Sequence, residues 1–101
     1  MIFHKFKKGF IDKLFDIKEE EQKHMQVVMS SDDKKEQDKS WAKVKECGVK
    51  IEKLFKAEEK QIPKGKSWTI YLVRELFKAV GSHGKDPFIR TLEIYGVGVV
   101  L

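Results

Sequence analysis

Apolar side chains recur every three or four residues in three parts of this chain, which is the spacing that gives an α-helix one apolar face. The most apolar part follows Ser67, a candidate N-cap, and ends before Gly81, a candidate stop. A central helix packed on more than one side is predicted from Ile70, Val73, Leu76, Phe77 and Val80, with Trp68, Leu72 and Ala79 beside them. A strand over Trp68–Val73 is the alternative, because these residue types are enriched in sheets.

The N-terminal segment carries an aromatic stripe at helical spacing, formed by Phe3, Phe6, Phe10, Leu14 and Ile17. Lysines surround this stripe, so a helix lying on an anionic membrane surface is one interpretation. The favoured interpretation is a helix whose phenylalanines enter the core. Because Lys18–Lys23 is polar and acidic, we predict that this helix pauses or bends there.

The segment from about Asp38 to Lys60 is predicted to be a helix with an apolar seam formed by Trp41, Val44, Cys47 or Gly48, Ile51, Leu54 and Phe55. Glu46 with Lys50, and Glu52 with Lys56, are placed to form i to i+4 ion pairs on its surface. Ser30–Asp33 resembles a helix start, because its side-chain oxygens can cap backbone N–H groups. An antiparallel hairpin with the first helix is therefore expected.

After Val80, a loop leads to Asp86 and Pro87, which suit the N-cap and first position of a short helix that Gly96 would stop. Val97–Leu101 is then expected to form a strand or an apolar tail docked on the core. A lone strand needs a partner. If Trp68–Val73 is not that partner, the tail is expected to pair with another copy of the chain, which would give a homodimer.

These elements predict a mainly α fold: a helical hairpin and a central helix with a short C-terminal strand or hairpin, in outline compatible with a helix-turn-helix or winged-helix arrangement. With 101 residues, the chain is expected to form a single domain over residues 1–101. No run approaches the roughly 20 apolar residues of a membrane span, and the N-terminus lacks the features of a secretory signal. A single cysteine, Cys47, excludes an internal disulfide, so a cytoplasmic protein is predicted.

Candidate catalytic motifs are incomplete. Gly65-Lys66-Ser67 matches the end of a phosphate-binding loop, but Lys60 stands where that motif requires a glycine. Glu21 and His24 have the Glu-x-x-His spacing of di-iron bundles, yet such sites need a second motif and two further carboxylates. Nothing in the sequence pairs Cys47 with a base such as His83. We therefore expect a protein that is not an enzyme and that holds no metal or cofactor.

The net charge of +5 and a pI of about 9.3 favour an anionic partner. Between Lys60 and Arg74 there is no acidic residue. Backbone N–H groups at the start of the Ser67 helix, with lysines alongside, are suited to a phosphate. The residues predicted to contact the phosphate backbone of a nucleic acid are Lys64, Lys66, Ser67, Lys85 and Arg90.

The tryptophans Trp41 and Trp68 are expected in the core, with stacking on bases as the alternative. The leading functional hypothesis is a DNA-binding accessory or regulatory protein in the cytoplasm, with a homodimer as one arrangement. The second hypothesis is a protein-binding inhibitor or adaptor that presents the charged Asp38–Lys60 helix to its target.

Overall fold

The computed structural model describes residues 5–62 and 68–100. The elements along this part of the chain are strand β1 (Lys5–Lys7), helices α1 (Lys8–Ser30), α2 (Lys34–Glu59) and α3 (Trp68–Val80), a 3-10 turn (Gly81–His83), helix α4 (Lys85–Ile94) and strand β2 (Gly98–Val100). The mainly helical class predicted from the sequence is confirmed. Two of the predicted positions lie outside the described residues: Phe3, which was predicted in a helix, and Leu101, which was predicted in a strand or tail.

Helices α1 and α2 form the predicted hairpin, joined by three residues, Ser31–Asp33. The predicted pause in the first helix is wrong, because α1 runs without interruption through Lys18–Lys23. Its polar run lies along the helix surface and forms pairs one turn apart: Lys18 with Glu21 at 3.0 Å, Lys23 with Glu19 at 3.9 Å. These contacts explain why a run that interrupts the apolar stripe does not interrupt the helix.

The segment that was ambiguous between helix and strand is helical, since α3 spans Trp68–Val80. Ile70, Val73 and Phe77 are buried at the three and four spacing that favoured a helix. Val73 is fully enclosed. Trp68–Val73 is therefore helical despite its β-favouring composition, because the rest of the fold covers the apolar face of the helix.

Phenylalanine rings connect the helices in the core. Phe77 of α3 lies between three other rings, with centroids 5.4 Å from Phe15, 6.0 Å from Phe55 and 5.6 Å from Phe88. All three pairs are edge-to-face, an arrangement that aromatic quadrupoles favour. The buried core cluster comprises Phe6, Phe10, Ile11, Leu14, Phe55, Ile70, Val73, Phe77, Phe88, Leu92 and Val97.

The two short strands pair in parallel, with Phe6 opposite Val99. A segment close to each end of the described chain is thus held against the core, where Phe6 and Val97 have no exposed surface. Gly96 precedes this segment with a φ of 82°, a left-handed conformation that favours glycine and ends the turn after α4. Within the chain, the partner of β2 is therefore β1 and not Trp68–Val73, whereas pairing with a second copy stays a prediction.

The molecule is elongated, with extents of 50 × 24 × 20 Å. The core cluster and the apolar side chains packed on it include no residue between 16 and 50 of the hairpin. We call residues 17–50 the arm, and the rest of the described chain the body. The arm has a small interior of its own, in which Cys47 and Val44 are buried.

Candidate nucleic-acid interface

Helix α2 begins at a well-formed cap. The Asp33 carboxylate accepts a hydrogen bond from the backbone N–H of Lys35 at 3.0 Å, and Ser31 Oγ lies 2.9 Å from Glu36 Oε2. Both acids stand near the positive end of the helix dipole, where negative charge is stabilising. The helix then continues for 26 residues, many of them the alanine, lysine and glutamate that favour helices. The cap explains why α2 starts four residues before the predicted Asp38.

The solvent side of α2 carries an ordered set of positive charges. At 100° per residue, the exposed lysines from Lys39 to Lys56 fall within an arc of about 160°, which excludes the buried Val44 and Cys47. We call this set the lysine face: Lys39, Lys43, Lys45, Lys50, Lys53 and Lys56. From the first to the last, the rise of the helix gives a length of about 25 Å. Such a surface presents a row of cations along a straight edge.

The lysine face is poorly neutralised. Between Lys39 and Lys56 there are only two acidic residues, Glu46 and Glu52. Glu46 lies 3.7 Å from Lys43, and Glu52 turns away to Arg74 on α3, at 2.7 Å. Within the described chain, Lys43 is therefore the one member of the face in an ion pair. The surface pairs predicted for Glu46 with Lys50 and for Glu52 with Lys56 are not formed.

The other helix of the arm differs in charge. Between Ile17 and Ser30, α1 carries three consecutive glutamates, Glu19, Glu20 and Glu21, against Lys18 and Lys23. Positive charge is thus concentrated on one side of the arm and not spread over both helices. An anion that approaches the arm is attracted to α2 and not to α1.

Three of the predicted phosphate-binding residues, Lys64, Lys66 and Ser67, lie outside the described residues, so their role stays a prediction. Lys85 and Arg90 both belong to α4. They are five residues apart, which separates them by about 140° around the helix axis. Their side chains therefore leave α4 in different directions around its axis.

Lys85 already has an anionic partner. Its Nζ lies 2.6 Å from Asp12 Oδ1 on α1. The hydrogen bond from Lys85 holds the pKa of the Asp12 carboxyl below its ordinary 3.8, and the same bond raises the pKa of Lys85 above 10.5. A phosphate would have to compete with this carboxylate, whereas Arg90 is exposed. The pair joins α4 to α1 and has a structural role.

Both tryptophans depart from the expected core position, since Trp41 is 43% exposed and Trp68 is 45% exposed. Trp41 lies at the edge of the lysine face, with Lys45 Nζ 5.8 Å from its ring centroid, within cation–π range. The seam position predicted for Trp41 is therefore wrong. The lysine face is absent from the sequence-based predictions, because these assign Lys50 and Lys56 to pairs along the helix. Projection of all the lysines around the helix axis is the signal that reveals the face.

The remaining chemical candidates are separate from each other. His24 lies beside Glu20, with 3.8 Å between Nε2 and Oε1, on the surface of the arm. Cys47 is enclosed between α1 and α2, and burial raises the pKa of its thiol, which disfavours the reactive thiolate. In residues 5–62 and 68–100, no three histidine, cysteine or acidic side chains come together in a way that would suit a metal ion.

Over the same two ranges, none of the helices combines the length and the apolar composition of a membrane-crossing segment. No protein family, curated protein or solved structure matches this chain.

Proposed function

We propose that this protein is a cytoplasmic accessory protein that binds the phosphate backbone of duplex DNA, with little sequence preference, through the lysine face of α2. One observation carries the proposal: six exposed lysines share one side of a projecting helix. Only one of them, Lys43, is in an ion pair within the described chain. Lysines arranged in this way bind DNA by neutralising phosphates and releasing counterions.

The dimensions of the face support this interpretation. Duplex DNA carries one negative charge per about 1.7 Å of its axis, so a face about 25 Å long lies beside many phosphates. Lysine side chains are point charges on flexible stems and impose no base preference. Trp41 at the edge of the face adds an aromatic surface that a neighbouring sugar or base can contact.

A helix-turn-helix contribution is a finer part of the proposal. Helices α3 and α4 are joined by Gly81–Gly84, a connection as short as those of helix-turn-helix units. However, α4 carries Asp86 and Glu93 beside its two cations. The lysine face of α2 is therefore the better candidate. The predicted contacts of Lys64, Lys66 and Ser67 would extend the interface and remain proposals, as does a wing.

The test is fluorescence anisotropy with a labelled duplex of about 20 base pairs at several salt concentrations. Charge reversal of Lys50 and Lys53 together should weaken binding and make the slope of log affinity against log salt less steep by about two. Reversal of Lys13 and Lys23 on α1 makes the same change in net charge and serves as the control. Equal losses in both double variants would show that only overall charge matters, and an unchanged slope in the first would remove the lysine face from the proposal.

A second function has a specific observation in its favour. Ala42 and Val49 interrupt the lysine face, with Val49 55% exposed, and a shallow groove runs between Lys45 and Lys50. An apolar strip between lysines also suits an acidic protein, as expected for an inhibitor or adaptor. Val49→Gln separates the two functions: it should leave DNA affinity and its salt slope unchanged but weaken binding to an acidic protein partner.

A further inference from the structure

A cavity of about 270 Å³ lies where the arm meets the body, between α1, α2 and α3. Apolar side chains form part of its wall: Ile51, Phe55 and Phe77. Gly48 lies at its rim, and a Cβ built on that glycine would meet nothing within 4 Å. The volume is slightly below the roughly 300 Å³ at which small-molecule sites begin, so the cavity suits a compact ligand of one or two rings.

Cations lie over the aromatic part of this wall. The guanidinium of Arg74 is 5.5 Å from the ring centroid of Phe55, and Lys18 Nζ is 5.8 Å from the ring centroid of Phe77. Both distances are within cation–π range. The cavity therefore presents positive charge directly beside apolar surface, which is the combination that an aromatic or aliphatic acid requires.

Positive charge exceeds negative charge in the lining. Lys18 lies 3.0 Å from Glu21, and Arg74 lies 2.7 Å from Glu52. A third cation, Lys78, also lines the cavity, whereas its own partner, Glu75, does not. The lining therefore holds three cations and two acids, and the charge of Lys78 is met by Glu75 beside the cavity.

The contact between Arg74 and Glu52 leaves the guanidinium incompletely satisfied. Arg74 Nη2 contacts one carboxylate oxygen of Glu52. Nε of Arg74 is buried and makes no hydrogen bond. A buried donor without a partner costs roughly 1–3 kcal/mol. A carboxylate can accept from Nε and Nη2 together, which is the stronger two-point geometry. To offer both groups to a ligand, the guanidinium must release Glu52, which now accepts from Nη2.

We propose that this cavity binds a small aromatic or aliphatic carboxylate. The carboxylate accepts hydrogen bonds from Arg74 in place of Glu52, with Lys18 nearby, and the apolar part of the ligand lies against Phe55 and Phe77. The proposal is independent of the lysine face, because Lys18, Arg74 and Lys78 do not belong to that face.

The test is an NMR titration of the full-length ¹⁵N-labelled protein with 2-naphthoate, with the neutral 2-naphthamide as the matched probe. We expect saturable shifts at Gly48 and Phe77 with the acid. The amide should bind about tenfold more weakly, because it lacks the charge-assisted hydrogen bonds to Arg74. Equal affinity of acid and amide, or no saturable shift at these residues at millimolar acid, would overturn the proposal.

Two variants complete the test. Gly48→Leu puts a side chain at the rim of the cavity and should abolish naphthoate binding while keeping or raising the Tm, because leucine favours a helix more than glycine does. Gly9→Leu is the matched control, since Gly9 is also an exposed helical glycine with open space around it, away from the cavity. Arg74→Lys keeps the charge but not the two-point geometry and should reduce the tenfold preference for the acid over the amide. Naphthoate binding that survives Gly48→Leu would place the ligand elsewhere and overturn the proposal.

Discussion

The arm and the body are built from the same two long helices but are held together in different ways. In the body, α1 and α2 are covered by α3, α4 and the strand pair, and three phenylalanine rings surround Phe77. In the arm, the two helices cover only each other, and few side chains apart from Val44 and Cys47 are buried. The body supplies most of the folding energy, because burial of large apolar side chains dominates stability. The arm supplies surface.

This difference explains where charge can accumulate. A helix covered on one side by a single neighbour exposes a wide arc, and four of the six lysines of the lysine face lie on such an arc in the arm: Lys39, Lys43, Lys45 and Lys50. In the body, the charged side chains link elements instead: Arg74 contacts Glu52, and Lys85 contacts Asp12. Lys39, Lys45 and Lys50 of the arm are in no ion pair within the described chain, whereas these two cations of the body contribute to the fold.

The largest effect is expected in the body. Phe88 has no exposed surface and contacts the rings of Phe15 and Phe77. Phe88→Ala should lower the free energy of unfolding by about 3–5 kcal/mol, because it removes a buried ring and leaves a cavity. Since small domains are stable by only about 5–15 kcal/mol, much of the stability would be lost. Urea unfolding followed by circular dichroism measures this loss. A change below that of the arm variant described next would contradict the division into body and arm.

A smaller and more local effect is expected in the arm. Val44→Ala removes two buried carbon atoms and should cost about 1–2 kcal/mol. Hydrogen exchange should become faster in residues 22–45, because local opening of the arm does not require the core to open. Amides of α3 and α4 should exchange at rates close to those of the unchanged protein. Equal acceleration in all four helices would show that arm and body unfold as one unit.

How far the sequence predicts the fold also depends on the region. Helix α3 and the burial of Phe88 and Leu92 follow from apolar periodicity, which the body satisfies because several elements cover it. In the arm, the same periodicity wrongly placed Trp41 in the core. A residue at the edge of the helix seam is buried only where a third element packs against the two helices. Among the described residues, no third element packs against the seam of the arm at Trp41. Periodicity cannot reveal that absence.

The candidate site was less predictable than the fold. Helix-entrance turns were favoured because unpaired backbone N–H groups attract anions. That argument overlooks long-range partners: Lys85 faces Asp12, which is 73 residues away in the chain. It also overlooks Glu52, whose carboxylate pairs with Arg74 of α3 and not with a lysine of α2. The excess charge of the lysine face follows from such tertiary contacts, which sequence spacing does not show.

The hairpin connection offers a third way to test the comparison. Asp33 caps α2 through the N–H of Lys35, so Asp33→Ala should cost about 1 kcal/mol. Asp32→Ala is the control, because it removes the same charge from the neighbouring exposed position without removing the cap. The urea midpoint should fall for Asp33→Ala and change little for Asp32→Ala. Similar midpoints for the two variants would attribute the effect to net charge, and the cap would lose its assigned role.

The smallest effect concerns the ion pair that fastens α4 to α1. Because Lys85 lowers the pKa of Asp12, the Asp12 contribution to stability is complete above pH 3.8 and is lost as the pH falls through its lowered folded value. The pKa of Lys85 is raised, so its contribution is complete below pH 10.5 and is lost as the pH rises through its folded value. Asp12→Asn should therefore lower the Tm by a nearly constant, small amount between these limits, and the difference should shrink at either extreme. A Tm difference for Asp12→Asn that persists unchanged in strong acid would mean that the carboxylate charge is not its cause.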